Sequence, residues 1–506
     1  MALMLPLLLN PSLVVSVCVF LASLLIFFVI RITRSLSVGG NNFAPSPPRL
    51  PLIGNLHQLG THPHRSLRAL SNEYGALMLM HLGRVPTLII SSADLVKEVI
   101  QNHDIVFSDR PDMTACEILF YGRKDVAFSS YGEYWRQARK ICILELLSLK
   151  RVQQFHFVRE EEVTLCMNKI RNAARSGEPV NLSELLLATP NNIISRCILG
   201  QRVEDESGRS WFGELSRQIM IDLMAFSMGD FYPSLRWVDV LRGFVGRLNS
   251  NFRALDTFLD QVIEERRAAT KSDVDGTENV KADFVDILLR VQREEKKLTQ
   301  DHMKAILLDM FVGGTDTTSA SSEWLMTELL RNPRVMKKAQ EEVRKVVGNK
   351  KKIEMSDINK MDYLKCVIKE TFRLHPSAPL LLPRETSTSV KVGGRQIPAK
   401  TRVFINAWAI QRDPNVWERP EEFIPERFEK KTVDFNFDLL VFGCGRRKCP
   451  GLTFGMVNIE YIAANILFWF DWKLSGKPED LDMSEVYGLS VTKKNALHVV
   501  PIPYSP

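Results

Sequence analysis

Apolar residues recur at three- and four-residue spacing through most of the chain. Stretches such as SLRALSNEYG, DLVKEVIQNH, FRALDTFLDQVIEERR and NPRVMKKAQEEVRKVVG therefore predict amphipathic helices. Strict alternation is rarer. ALMLMHLG followed by VPTLIISS reads as one hairpin, and VKVGGRQIPAKTRVFINAW as another, turned at Gly393 and Gly394. The expected fold is mainly α with small β-sheets, in a single large body that no internal repeat or compositional shift divides. The polar stretch ATKSDVDGTENV, Ala269 to Val280, reads as a surface loop between two helices rather than a linker between domains.

The amino end has a different pattern. Ser12 to Ile30 runs nineteen residues without a charge, close to the roughly twenty that cross a bilayer as a helix. The basic start of a cleaved signal peptide is missing, and Arg31 and Arg34 follow the apolar run, which keeps the downstream chain on the cytosolic side. Pro45, Pro47, Pro48 and Pro51 then favour a stiff, extended connection. The expected division is an anchor over 1–34, a proline-rich hinge over 35–55 and the main body over 56–506.

Composition narrows the function without naming it. At 506 residues, 45% hydrophobic and 25% charged, the chain is an ordinary globular one and not disordered. A net charge of +7, spread along the chain with no alternation of aromatic and basic residues, points to an acidic protein partner or a membrane surface and away from nucleic acid. Eight scattered cysteines without a CxxC suit a reducing compartment. Zinc is disfavoured, because Cys444 and Cys449 lack a second ligand pair and the next histidine is His498.

One cysteine stands out. FGCGRRKCPG, Phe442 to Gly451, places Cys449 in the spacing F-x-x-G-x-R-x-C-x-G just ahead of the apolar helix LTFGMVNIEYIAANILFWF. A thiol before a helix amino end is expected to have a lowered pKa, and Gly445 and Gly451 are expected to let backbone amides approach the sulfur. Such a loop can offer an anionic sulfur to a haem iron. Phe442, Gly445, Arg447, Cys449 and Gly451 together resemble the cysteine-ligand loop of the cytochrome P450 haem-thiolate monooxygenases. YGEYWRQARKICILELLS, VGGTDTTSA and LHPSAPLLLPRET resemble in particular the plant microsomal A-type group and its large seventy-one family.

The resemblance implies roles for further residues. It makes 56–506 the haem-thiolate catalytic domain, with Cys449 as axial ligand of haem b. Trp135 and Arg139 of WRQAR, Arg384 of PRE and Arg447 would hold the propionates, to which the arginine fork is suited. Glu370 and Arg373 of KETFR, three apart on a helix face, would join Arg427 of PERF in a buried bracing network. In LLDMFVGGTDTTSASSEW, Gly313 and Gly314 would open room for dioxygen, and Asp316 with Thr317 would assist proton delivery. On composition alone that stretch also reads as a cap starting a new helix at Thr317 or Thr318.

With no G-x-G-x-x-G fingerprint for a nicotinamide or flavin, the chain is expected to need a separate reductase, and the resemblance implies NADPH-cytochrome P450 reductase, with cytochrome b5 as a further candidate. Arg446, Arg447 and Lys448, with NKKK at Asn349 to Lys352, are candidate attractors for it. By the same resemblance, Phe120, Tyr121, Phe226, Phe311, Gly313, Leu381 and Leu489 are candidate pocket residues for a lipophilic substrate. The resemblance implies a terpenoid, phenylpropanoid, alkaloid or amino-acid-derived metabolite, oxidised with O2 at the endoplasmic reticulum membrane by a single-pass enzyme facing the cytosol. Two alternatives remain: a non-oxygenating dehydratase or isomerase, for example on an aldoxime, and a non-catalytic haem-binding protein.

Overall fold

The computed structural model describes residues 15–16, 18–20, 22–23, 43–202, 211–272, 282–294, 297–429, 434 and 437–505. The principal helices are α1 (Pro63–Tyr74), α2 (Ala93–His103), α3 (Glu133–Ile141), α4 (His156–Ser176), α5 (Leu182–Leu199), α6 (Trp211–Met224), α7 (Phe244–Ser272), α8 (Gln300–Arg331), α9 (Pro333–Val347), α10 (Asp362–Leu374) and α11 (Leu452–Trp469). All four helical patterns fall in this set. The stretch Ala269–Val280 begins inside α7, and 273–280 lies outside the described residues.

The strands are β1 (Leu77–Leu82), β2 (Val85–Ile90), β3 (Val180–Asn181), β4 (Arg384–Glu385), β5 (Val390–Val392), β6 (Arg395–Ile397), β7 (Arg402–Ile405), β8 (Phe470–Lys473), β9 (Glu485–Val486), β10 (Thr492–Lys493) and β11 (His498–Pro503). The first expected hairpin is present, with Leu77 opposite Ile90 and Leu82 opposite Val85. The second is only half of what the sequence suggested. β5 and β6 pair across Gly393 and Gly394, whose φ values of 53° and 74° suit glycine, while β7 leaves to pair in parallel with β2. The largest sheet is ordered β1-β2-β7-β4.

Helix α8 is the centre of the body. It is buried on nearly every face, as expected of a helix apolar around most of its circumference, and it packs on α5, α10 and α11. The Thr299 hydroxyl caps it by accepting from the His302 N–H. α11 is long and apolar enough to cross a membrane, but 61% of its most apolar window is buried, which marks it as a core helix. The proposed anchor, Ser12 to Ile30, lies mostly outside the described residues; the few that are described there are helical and exposed.

Candidate functional site: the Cys449 loop and the arginines around it

The Cys449 loop is closed by its own backbone. The Cys449 N–H donates to the Phe442 carbonyl at 2.8 Å, and the Phe442 ring meets Phe372 of α10 edge-on at 5.5 Å. Gly451 does what the sequence suggested: its N–H bonds the sulfur, and a Cβ there would sit 3.7 Å from Sγ. Gly445 does not. Its φ is 61° and a Cβ would fall 2.6 Å from Asp104 Oδ1, so this glycine lets the loop close on the end of α2 rather than on the sulfur.

Cys449 lies deep in the protein, yet its side chain is uncovered. Burial pushes its pKa up, against the Gly451 N–H and Arg139. The lowered pKa expected from the helix end is therefore not found in the protein's own electrostatics; coordination to a metal deprotonates a thiol outright. Gly313 is likewise uncovered, in the middle of the most buried helix, and a Cβ there would touch nothing within 4 Å. Since α8 and α11 pack together, a thiol leading one and a bare backbone on the other are what a prosthetic group between them would cover.

The two glycines of α8 divide their work. Gly314 opens no room, because a Cβ there would meet Ile194 of α5 at 2.9 Å; it permits close helix packing. Nor does a new helix start at Thr317. α8 is continuous from Gln300 to Arg331, and the Thr317 hydroxyl donates to the Gly313 carbonyl at 2.7 Å. Asp316 lies on the same stretch, half-buried.

Around this region the structure gathers buried cations. Arg447 donates to the carbonyls of Ser108, Val126 and Ser129 at 2.7, 3.2 and 2.6 Å, and lies 4.4 Å over the Trp135 ring. Arg139 covers Trp135 at 5.4 Å and donates to Lys448 O at 2.5 Å. Trp135 itself donates to Val126 O, so its role is to stack two guanidiniums. Arg384 donates to Cys444 O at 2.6 Å, with its nearest carboxylate, Asp104, at 3.7 Å. Burial, then the neighbouring Arg384, pushes Arg447 down to about 9.

Sequence reasoning missed Arg110, which donates to the carbonyls of Ala127, Leu382 and Pro383. It is pushed well down by burial and then by Arg447 and Arg384. Nothing in FSDRPD distinguishes it from a solvated arginine. A buried group of arginines answered mostly by carbonyls carries unmet positive charge, which the two carboxylates of a haem fit.

Glu370, Arg373 and Arg427 come together in the structure. Glu370 and Arg373 are both fully buried and paired at 2.7 and 2.9 Å, and Arg427 Nε reaches Glu370 at 3.1 Å. Three of the candidate pocket residues, Phe226, Leu381 and Leu489, line one cavity of about 230 Å³, together with Met113, Phe128 and Tyr487. Phe120 and Phe311 are core residues, 0% and 1% exposed. Phe120 packs against Phe128 of the cavity wall, their rings 5.6 Å apart. Tyr121 turns its hydroxyl to Asp256 at 2.9 Å. Of NKKK, Lys350 pairs with Asp357 at 2.8 Å and Lys352 with Glu160 at 2.9 Å, which weakens that cluster as an attractor of a partner.

A mainly helical body with an uncovered deep cysteine, a bare glycine on its central helix and buried arginines fits the class of haem-thiolate proteins. The family model for cytochrome P450 matches residues 44–500. The chain is 57% identical over 497 residues to a phenylacetaldehyde oxime monooxygenase of Prunus mume, CYP71AN24, covering 95% of this chain and 94% of that one. It is 51% identical to cytochrome P450 71A1 of Persea americana, covering 88% and 91%, and 46% identical to strychnine-11-hydroxylase of Strychnos nux-vomica, covering 96% of each chain. A solved zebra fish cytochrome P450 with progesterone superposes with a TM-score of 0.75 at 25% identity, covering 87% of this chain and 99% of its own. The chain belongs to the cytochrome P450 family, and the Prunus mume and Persea americana relatives are named as members of its seventy-one group. It is an oxidoreductase, a haem-thiolate monooxygenase that draws electrons from NADPH through a reductase.

Proposed function

We propose that the chain hydroxylates a small lipophilic plant metabolite, with Cys449 as the haem ligand. The observation that carries this is the sulfur of Cys449, deep in the protein and uncovered, with the Gly451 N–H upon it. Arg110, Arg384 and Arg447 would hold the propionates, Trp135 and Arg139 flanking them. When bound, the haem supplies dioxygen activation. Thr317 holds a hydroxyl proton against the Gly313 carbonyl, one turn from the bare backbone of Gly313, so Thr317 with Asp316 can deliver a proton on that face. The apolar cavity at Phe226, Leu381 and Leu489 would exclude water and admit the substrate.

Membrane attachment through 1–34 and the hinge over 35–55 belong to the same proposal, with 56–506 as the catalytic domain. Leu50, Leu52 and Ile53 of the hinge are exposed, as are Trp237, Val240 and Leu241. The two segments are joined where the Tyr232 hydroxyl donates to Leu52 O at 3.2 Å. These exposed apolar side chains, some of them following the apolar run in the sequence, support residence at the endoplasmic reticulum membrane. The exposed Arg446 beside half-buried Lys448 supports docking of an acidic reductase there.

The test is the reduced carbon monoxide difference spectrum of the full chain in microsomes. A strongly red-shifted Soret band, lost in Cys449→Ala, is expected; folded, haem-loaded protein without that band overturns the assignment. The substrate class is tested with phenylacetaldehyde oxime, the compound named in the Prunus mume relative. Label from O2 in the product supports oxygenation, and unlabelled dehydrated product supports the dehydratase alternative.

A further inference from the structure

Between the arginine group and α8 runs a short stretch, Lys124 to Phe128, with no regular secondary structure. Its carbonyls face the arginines: Val126 O accepts from Trp135 Nε1 at 3.0 Å and Arg447 at 3.2 Å, and Ala127 O from Arg110 at 2.7 Å. Its N–H groups face acids. Val126 N–H donates to Asp309 of α8 at 2.5 Å, Ala127 N–H bonds the same carboxylate, and Phe128 N–H donates to Asp125 Oδ2 at 2.7 Å. Lys124 adds an ion pair to Asp301, earlier on α8, at 2.8 Å. Asp309 stands four positions before Gly313, and so on the same side of the helix.

Asp125 and Asp309 face one another within hydrogen-bonding reach, and Asp125 Oδ1 is buried with no N–H or hydroxyl donor among the described residues. Two buried carboxylates so placed repel if both are ionised, whereas one proton between them makes a hydrogen bond. We propose that the Asp125–Asp309 pair is a positioning latch, fixing the peptide that anchors Arg110, Arg447 and Trp135 to the glycine-bearing helix, and that it holds only while it keeps a proton. The proposal deepens the reading of Arg110 and Arg447 as propionate anchors and rests on it.

The surroundings favour that proton. Burial raises Asp125 to about 6, with backbone N–H bonds and then Arg110 and Arg447 opposing. Burial and then the charge of Asp125 push Asp309 well above the usual carboxylate range. The other ionisable neighbours, Cys116, Cys142 and Tyr134, are all shifted up and neutral. The folded pair therefore binds a proton that the unfolded chain releases near 4. Its stabilisation is complete in acid, declines as pH rises above the unfolded value and through about 6, and is exhausted when the last proton leaves in the titration of Asp309.

The test uses haem-loaded full chain and follows loss of the red-shifted carbon monoxide band as pH is raised. Wild-type loss is expected to quicken by up to about tenfold per pH unit as pH rises toward release of the last proton, and to level off above it. Asp309→Asn and Asp125→Asn, whose amides supply their own hydrogen, are each expected to flatten that dependence while keeping the band. An unchanged pH profile in either folded variant overturns the latch. If neither variant accumulates, amide exchange at Val126 and Phe128 in the wild type decides. Protection that falls with pH beyond the intrinsic rate supports the latch, and pH-independent protection overturns it. Absence of the band in the wild type at every pH would instead overturn the haem assignment, which the amide-exchange readout does not require.

Discussion

At the scale of single residues, the two adjacent glycines of α8 separate packing from chemistry. Gly313→Ala adds a methyl where nothing lies within 4 Å, and removing a helix-interior glycine favours the helix by up to about 1 kcal/mol. Thermal unfolding should show equal or higher stability, while the carbon monoxide spectrum and the tightness of substrate coupling change. Gly314→Ala forces a Cβ to within 2.9 Å of Ile194 and is expected to cost about 1–3 kcal/mol. Ile194→Ala in the same chain should recover part of that loss. Equal effects at the two positions would show that the glycines do not divide the work as described.

At the scale of elements, the joints between α10, the segment 411–424 and the Pro425–Phe428 turn are made by buried charge. Arg373 meets Glu370 with two bonds and reaches the carbonyls of Gln411, Pro420 and Glu422 at 2.8, 2.6 and 3.0 Å. Glu370 in turn receives the Ile424 N–H at 2.8 Å as well as Arg427. Glu370→Ala leaves Arg373 as a buried cation without its counter-ion, a loss of about 3–5 kcal/mol. The expected result is little or no haem-loaded protein, measured by the ratio of Soret to protein absorbance. Exposed pairs such as Lys337 with Glu341, at 3.9 Å, should change stability by less than about 1 kcal/mol when broken.

At the scale of the whole molecule, the two ends of the described body are tied together. Glu485 of β9 is buried against α1, accepting from His64 at 3.0 Å and Arg65 at 2.8 Å. Burial alone would raise this carboxyl, but the bonds from His64 and Arg65 bring it down to about 2. Burial lowers His64 in turn, so Arg65 supplies the standing charge near neutral pH. Because the folded pKa of Glu485 is depressed, its contribution is present above the unfolded value near 4.5 and is lost as pH falls toward about 2. After screening at the half-exposed Arg65 it is worth about 1–2 kcal/mol. Glu485→Gln should weaken the fold at pH 7 and flatten its acid denaturation curve; an unchanged acid midpoint would refute the tie.

The sequence by itself determined the helical class, the first hairpin, the Cys449 loop and the Glu370–Arg373 pair, because each is local: periodicity, turn glycines and short spacings act between near neighbours in the chain. Only the tertiary structure decided that Gly445 serves Asp104 and Gly314 serves Ile194, and that β7 joins β2 rather than closing a longer hairpin. It alone brought Arg110 to Arg447, and Asp125 to Asp309 across 183 positions from the neighbouring Val126. An arginine or aspartate carries no mark of what it will face, since burial and the sign of its neighbours are fixed when distant segments pack.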